Sequence, residues 1–214
     1  MVVRLLALSA LVVVLAACTP GPAGDLSPQV AEVIARADAN RSTYAAYGWN
    51  ERLFNKLDVS RWNARFSHGA LRRDETASSV LIADCDAGMG FGLFEGDEQI
   101  IKGKGIARAL CGVDAPNVTL ASIHAGQVPS PQGHADKIRL RSRYYGDLAE
   151  STYTVGADGV VLSRSLTIAT RKLRMETRAV VMTPNLPPGD LFDTSTLNRR
   201  FTPERYRYAS APKT

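Results

Sequence analysis

Thiols and imidazoles are the side chains of this 214-residue chain best suited to nucleophilic attack, proton transfer or metal ligation, and it holds three of each. His68, His124 and His134 occur singly. None forms the i, i+4 pair with which a helix grips zinc, and no Gly-x-Ser-x-Gly turn or Ser-x-x-Lys motif supplies an activated serine. His124 and His134 flank a proline-rich stretch, where solvent exposure accounts for them better than ligation. Asp84, Asp86 and Glu95 fall at positions 1, 3 and 12 of a calcium loop, but Gly88 then occupies position 5, and Met89 stands at position 6, where the turn requires glycine. Gly88, Gly90 and Gly92 resemble a phosphate loop only in composition. They alternate with Met89, Phe91 and Leu93 in a strand pattern, which lets another backbone, a helix or a ligand approach closely. The chain therefore offers no catalytic constellation, no metal site and no cofactor motif, and a non-enzymatic role is expected.

The remaining reactive position is Cys18. Arg4 is followed by an apolar run from Leu5 to Ala17, then by Cys18 and Thr19-Pro20-Gly21. A basic start, a short apolar stretch and a small-residue cleavage site read as a secretory signal. The run is about 13 residues, short of the roughly 20 that a spanning helix needs. A cysteine directly after Leu15-Ala16-Ala17 resembles the lipobox of bacterial lipoproteins. The resemblance implies that the sulfur takes a diacylglycerol, with acyl chains such as palmitate, that residues 1–17 are cut away, and that lipid anchors the chain in the cell envelope. Thr19 in place of aspartate implies the outer membrane, with the body facing the periplasm. The alternative is an ordinary signal peptide cut near Ala17 that leaves a free cysteine. With Cys18 taken by lipid, Cys85 and Cys111 are an even pair in an oxidising compartment and are expected to be bridged. That bridge closes a loop of about 27 residues, worth roughly 3.5 kcal/mol by chain entropy.

These positions need a frame. Thr19 to Ser27 has the prolines and glycines of a flexible tether, giving a lipidated tether over 18–27. Ser27-Pro28 reads as a helix cap followed by proline in the first turn, and Val30, Val33, Ile34 and Ala37 recur at helical spacing, so a helix is expected from Pro28 to about Ala39. Trp49, Leu53 and Leu57, spaced by four, allow a second helix over 44–57, with a strand as the alternative. Beyond Ser60 the period is two: Trp62, Ala64, Phe66; Met89, Phe91, Leu93; Ile138, Leu140, Ser142; Leu173, Met175, Thr177. Ala157-Asp158-Gly159 marks a hairpin between two such runs. Strands with one polar and one apolar face, joined by tight turns, predict an antiparallel sheet wet on one side. Residues 116–133 read as mostly loop, with a helical turn near Leu120, and 193–214 as an extended tail after a single domain over 28–192.

Charge divides the chain. Residues 19–100 carry 8 Lys/Arg against 12 Asp/Glu, and residues 101–214 carry 17 against 9. Export removes nucleic acid as partner and leaves anionic lipid headgroups or a plain solvated surface. Arg139, Arg141 and Arg143 with Lys172, Arg174 and Arg178 form a headgroup stripe if their strands are neighbours, and otherwise the wet face of the sheet.

The leading helix, the long antiparallel meander and the exit Asn185-Leu186-Pro187-Pro188-Gly189-Asp190-Leu191-Phe192 resemble the LolA/LolB-like lipoprotein carriers and their LppX-type relatives. The stretch from Ala157-Asp158-Gly159-Val160 to Phe192 carries the likeness. It implies an α+β fold: a strongly curved antiparallel sheet, an incomplete barrel, covered by the N-terminal helix or helices. It also implies a lipid, acyl chain or lipoprotein as ligand. Trp62, Phe66, Met89, Phe91, Leu93, Leu140 and Met175 are then candidates to line an apolar cavity. The competing reading has the same side chains filling a dry core in a module that docks with or senses an envelope protein partner.

Overall fold

The computed structural model describes residues 26–54, 57–115, 119–130, 133–144 and 146–207. The expected signal segment, Cys18, nearly all of the expected tether, and residues 208–214 lie outside the described residues. Helix α1 (Pro28–Asp38) starts where the cap predicts: the Ser27 hydroxyl accepts from the Val30 amide at 3.4 Å, and Val30, Val33, Ile34 and Ala37 form its buried stripe.

Eleven strands follow: β1 (Tyr44–Phe54), β2 (Leu57–His68), β3 (Leu71–Thr76), β4 (Ser79–Asp84), β5 (Met89–Phe94), β6 (Ile101–Gly103), β7 (Thr119–Ser130), β8 (Gly133–Tyr144), β9 (Asp147–Gly156), β10 (Val161–Ile168) and β11 (Leu173–Thr183). Between β6 and β7 lies helix α2 (Lys104–Leu110), and a short helix α3 (Glu204–Arg207) follows the sheet. All strands join one antiparallel sheet in the order β6-β5-β4-β3-β2-β1-β11-β10-β9-β8-β7. The first and last strands meet in the middle, so the sheet is two meanders growing outward from a central seam. It does not close: β6 and β7 are its edges.

The sheet is folded along that seam. Arg65 on β2 donates to the Val161 carbonyl on β10 at 3.4 Å, although the two strands are three places apart in sheet order. A flat sheet would separate them by about 14 Å. A bulge between β1 and β11 sits at Tyr47/Gly48 and bends the seam. Gly48 allows it: a Cβ there would lie 1.8 Å from the Arg178 carbonyl oxygen. The side toward which the arms fold is called inner below.

Three elements cover the sheet. On the inner face, α1 buries its stripe on Ile138, Leu140, Tyr153 and Val155 of β8 and β9, and α2 packs Ile106, Ala107 and Leu110 on Leu81 and Ala83 of β4. The N-terminal helix thus covers one arm only. On the outer face, the segment after β11 lays Leu186, Leu191, Phe192, Phe201 and Tyr206 over Ala45, Tyr47, Trp62, Ala64 and Phe66, while Leu197 meets Val80 and Ile82.

One open alternative is decided and two expectations are corrected. Residues 44–54 are strand, not helix: a spacing of four is a multiple of two as well as near 3.6, and the aromatic side chains Tyr44, Tyr47 and Trp49 favour the pleated surface. Residues 119–130 are strand rather than loop; as an edge strand, β7 tolerates Pro129 and carries two bulges. Residues 193–207 are not an extended tail but a packed cover, with Thr196, Leu197 and Thr202 buried. Their apolar side chains follow no period because they are fitted to the sheet rather than to a helix or strand of their own.

Candidate functional site

The inner face holds a filled centre and an open groove. In the centre, Arg65 meets Asp74 through hydrogen bonds of 3.0 and 3.3 Å, and the Asp74 charge raises the guanidinium's already high pKa further. Arg164 lies 5.6 Å over the Tyr153 ring and 3.4 Å from Asp114. Burial pushes the phenols of Tyr44 and Tyr153 up. Arg65 and Arg164, with Ala46, Asn63, Thr177 and Ala179, line a space of only about 10 Å³, barely room for one water.

The groove measures about 440 Å³ and lies between the C-terminal end of α1, α2, the corner at Cys85–Gly88 and the segment 113–115. Its geometry begins with the Cys85–Cys111 disulfide, whose Cα atoms are 5.6 Å apart and which ties the end of β4 to the end of α2. Gly90 and Gly92 seat α2 directly on β5: a Cβ at Gly90 would lie 2.6 Å from Ile106 and 2.9 Å from the Ala107 amide nitrogen. The alternating glycines therefore admit a helix, as their spacing allowed. Gly112, at φ 76°, turns the chain so that the Val113 amide donates to Asp38 at 3.2 Å. A Cβ on Gly112 would sit 2.0 Å from that Asp38 oxygen. Burial raises the Asp38 carboxyl, opposed by the hydrogen bond from Val113. Asp114 is held by Arg164 and, at 3.8 Å, by Arg108, and its carbonyl accepts from the Tyr153 hydroxyl.

Ala107, Val113, Ala115 and the disulfide give the groove an apolar lining, with Lys104 and Arg108 as cations and Asp38 and Asp114 as acids. No hydroxyl or imidazole lines it, and its two sulfurs are consumed in their bond. Among the described residues no group of three His, Cys, Asp or Glu is placed to hold a metal ion. Asp84, weighed as a calcium ligand, instead accepts from the amides of Asp86 and Ala87 in a tight turn. His124 is not simply exposed: its Nε2 lies 3.0 Å from Asp136, which also pairs with Arg36 of α1. His68 contacts the Thr43 hydroxyl at 3.0 Å. The groove is equipped to hold an amphipathic ligand by shape and charge.

The seven apolar candidates do not line one cavity. Trp62 and Phe66 pack under Leu191, Phe192 and Phe201 on the outer face, and Phe91 and Leu93 join Val80, Ile82 and Leu197 there. Met89 shares their side of β5. Leu140 is on the inner face under α1, and Met175 is in a separate inner cluster with Ala149, Leu166 and Ile168. Within a strand, alternation grouped them correctly; across strands, a one-residue shift of register exchanges faces, and register is not written in composition. The pairing of Cys85 with Cys111 is present. Asp38, Lys104, Arg108 and Asp114 carried no motif, and only the position of the second two beside Cys111 hinted at them.

No protein-family model and no curated protein matches the chain. Among solved structures, an uncharacterized conserved protein from Thermus thermophilus is 15% identical, with 84% of this chain and 97% of that one covered and a TM-score of 0.43. A LolA superfamily protein from Nitrosomonas europaea is 8% identical over 78% of this chain and 98% of its own, at a TM-score of 0.40. MucB is 14% identical over 80% and 62%, at 0.42. At these scores the likenesses are similarities in layout and assign no activity to this chain.

Proposed function

We propose that this chain is a non-catalytic envelope lipoprotein, anchored through Cys18 to the outer membrane and facing the periplasm, that binds one acyl-bearing anionic ligand in the groove between α1 and α2. The observation that carries the reading is the groove itself. Its volume of about 440 Å³ falls in the range of small-molecule sites, Ala107, Val113, Ala115 and the disulfide give it apolar lining, and Lys104 and Arg108 stand in it with Asp38 and Asp114. An acyl segment entering it gains about 0.8 kcal/mol for each methylene removed from water. An anionic headgroup is then met by Lys104, while Arg108 is shared with Asp114 at 3.8 Å. The resemblance of the sequence to lipoprotein carriers makes a lipid, or the acylated end of another lipoprotein, the natural ligand class.

Protein purified without detergent and extracted with organic solvent tests this by mass spectrometry. The wild-type chain is expected to release lipid near one equivalent, and Ala115→Trp, which puts an indole in the groove, to release at least about tenfold less. A wild-type protein free of lipid that also fails to take up added lysophospholipid sinks the reading. The filled centre of the inner face favours a second one, an interaction module that needs no ligand; it predicts empty extracts and a stable protein partner on cross-linking in cells. Anchoring is tested separately: labelled palmitate should enter the wild type and not Cys18→Ser.

A further inference from the structure

Among the described residues, the segment after β11 packs over the outer face of β1–β5 and nothing packs over the outer face of β7–β10, which is basic. Successive outward side chains of β8 are Lys137, Arg139, Arg141 and Arg143, about 7 Å apart along the strand. Register sets Ala121 and Ile123 of β7 beside Arg141 and Arg139, and Leu148, Glu150 and Thr152 of β9 beside Arg143, Arg141 and Arg139. Next come Ser163, Ser165 and Thr167 of β10, then Arg178, Glu176 and Arg174 of β11. The two basic strands are therefore not neighbours, but they share one face with hydroxyls between them.

The acids there are already engaged: Glu150 lies 3.4 Å from Arg139, and Glu176 2.8 Å from Arg174. Among the described residues no carboxylate pairs with Lys137, Arg141, Arg143 or Arg178. On either side of the β8 stripe stands an apolar side chain in the open, Ile123 at 54% and Leu148 at 52% exposure. A membrane interface accommodates both cations and apolar tips. The chain's own route agrees. The Ser27 amide donates to the Ser122 hydroxyl of β7 at 2.9 Å, so the described chain begins beside this edge of the sheet. From Cys18, nine residues reach at most about 30 Å, ample to pass the edge of a single sheet.

We infer that the bare outer face of β7–β11 is a docking surface for an anionic phospholipid bilayer: headgroup phosphates meet Lys137, Arg141, Arg143 and Arg178, while Ile123 and Leu148 enter the interface. The groove is on the opposite face of the sheet and stays open to the aqueous side. The surface stands on charge and register and does not depend on the groove's having a ligand.

The test sediments the full chain carrying Cys18→Ser, which removes acyl attachment, with vesicles of phosphatidylcholine alone or mixed with phosphatidylglycerol. Binding is expected to be at least about tenfold tighter on the anionic vesicles and to fall back in high salt. Adding Lys137→Gln, Arg141→Gln and Arg143→Gln should weaken it about 100-fold, near fivefold per cation. Removing three charges elsewhere, with Arg52→Gln, Lys102→Gln and Arg205→Gln, should cost less than about threefold. Equal binding to both vesicle types, or equal losses from the two triple variants, overturns the inference. If the β8 triple fails to fold, the lipid and salt dependence of the unaltered face still decides. Neither result bears on what solvent extraction recovers from the groove.

Discussion

Arg73 and Glu75 are adjacent outward positions of β3, both fully buried, and together they fasten the cover to the sheet. Arg73 donates to Glu75 at 2.7 Å and to the Leu191, Thr196 and Arg199 carbonyls and the Thr196 hydroxyl. Glu75 accepts from the Phe201 and Thr202 amides and from the Thr202 hydroxyl. Burial lowers the Arg73 pKa, Glu75 opposes it, and the charges of Arg200 and Arg199 add to the lowering. Truncating one member leaves the other as an uncompensated buried charge, a loss of about 3–5 kcal/mol. Arg73→Met is thus expected to lower Tm by about 10 °C in a thermal melt, and Arg73→Met with Glu75→Leu to lower it less. Equal losses in the single and double variants would show that the pair is not the fastening. The sequence displayed the pair as Leu71-Arg72-Arg73-Asp74-Glu75-Thr76, charge inside a strand pattern, but its partners lie 118 to 127 positions further on, beyond any local signal.

At the scale of elements, the helices were legible to different degrees. The first announced itself by Ser27, Pro28 and its apolar stripe. The second has seven residues, no side-chain cap and a glycine at each of Gly103 and Gly105, so it is held by the disulfide and by Gly90 and Gly92 rather than by helical propensity. The first helix also has a polar latch that its own sequence does not disclose: Arg36 pairs with Asp136 of β8, which is bonded in turn to His124 of β7. Burial pushes the Asp136 carboxyl up, but the hydrogen bonds from His124 and Arg36 outweigh it and hold its pKa below the ordinary value of 3.8. A carboxylate depressed on folding stabilises the native state in full above its unfolded pKa and ceases to as the pH falls through the folded one. Asp136→Asn should accordingly speed amide exchange in α1 relative to wild type at pH 7, and the difference should shrink as the pH falls below 3.8 and through the folded value. A difference of the same size at both pH values would assign the effect to packing instead of charge.

For the whole molecule, alternation in the strands declared an antiparallel sheet with two unlike faces, and that much is present. It did not declare that different elements cover different parts of each face, because strand parity carries no information on register between arms. The outer face shows the consequence. Phe66 and Val80 are fully buried there, and Ile82 is 3% exposed, although neither α1 nor α2 lies over them. Their cover is the irregular segment 185–207, which brings Leu191, Leu197 and Phe201 onto the sheet and supplies the partners of the Arg73–Glu75 pair. A chain ending at Pro184 would expose that apolar surface as one patch and strip two buried charges of most of their hydrogen bonds at the same time. Contiguous apolar exposure of this kind drives association. The shortened chain is expected to elute as aggregate or to bind a hydrophobic dye strongly, whereas the full chain does neither. Were it to stay monomeric with an unchanged Tm, the sheet's stability would have to rest on α1 and α2 alone. The segment after β11 would then be an attachment to the fold and not one of its layers.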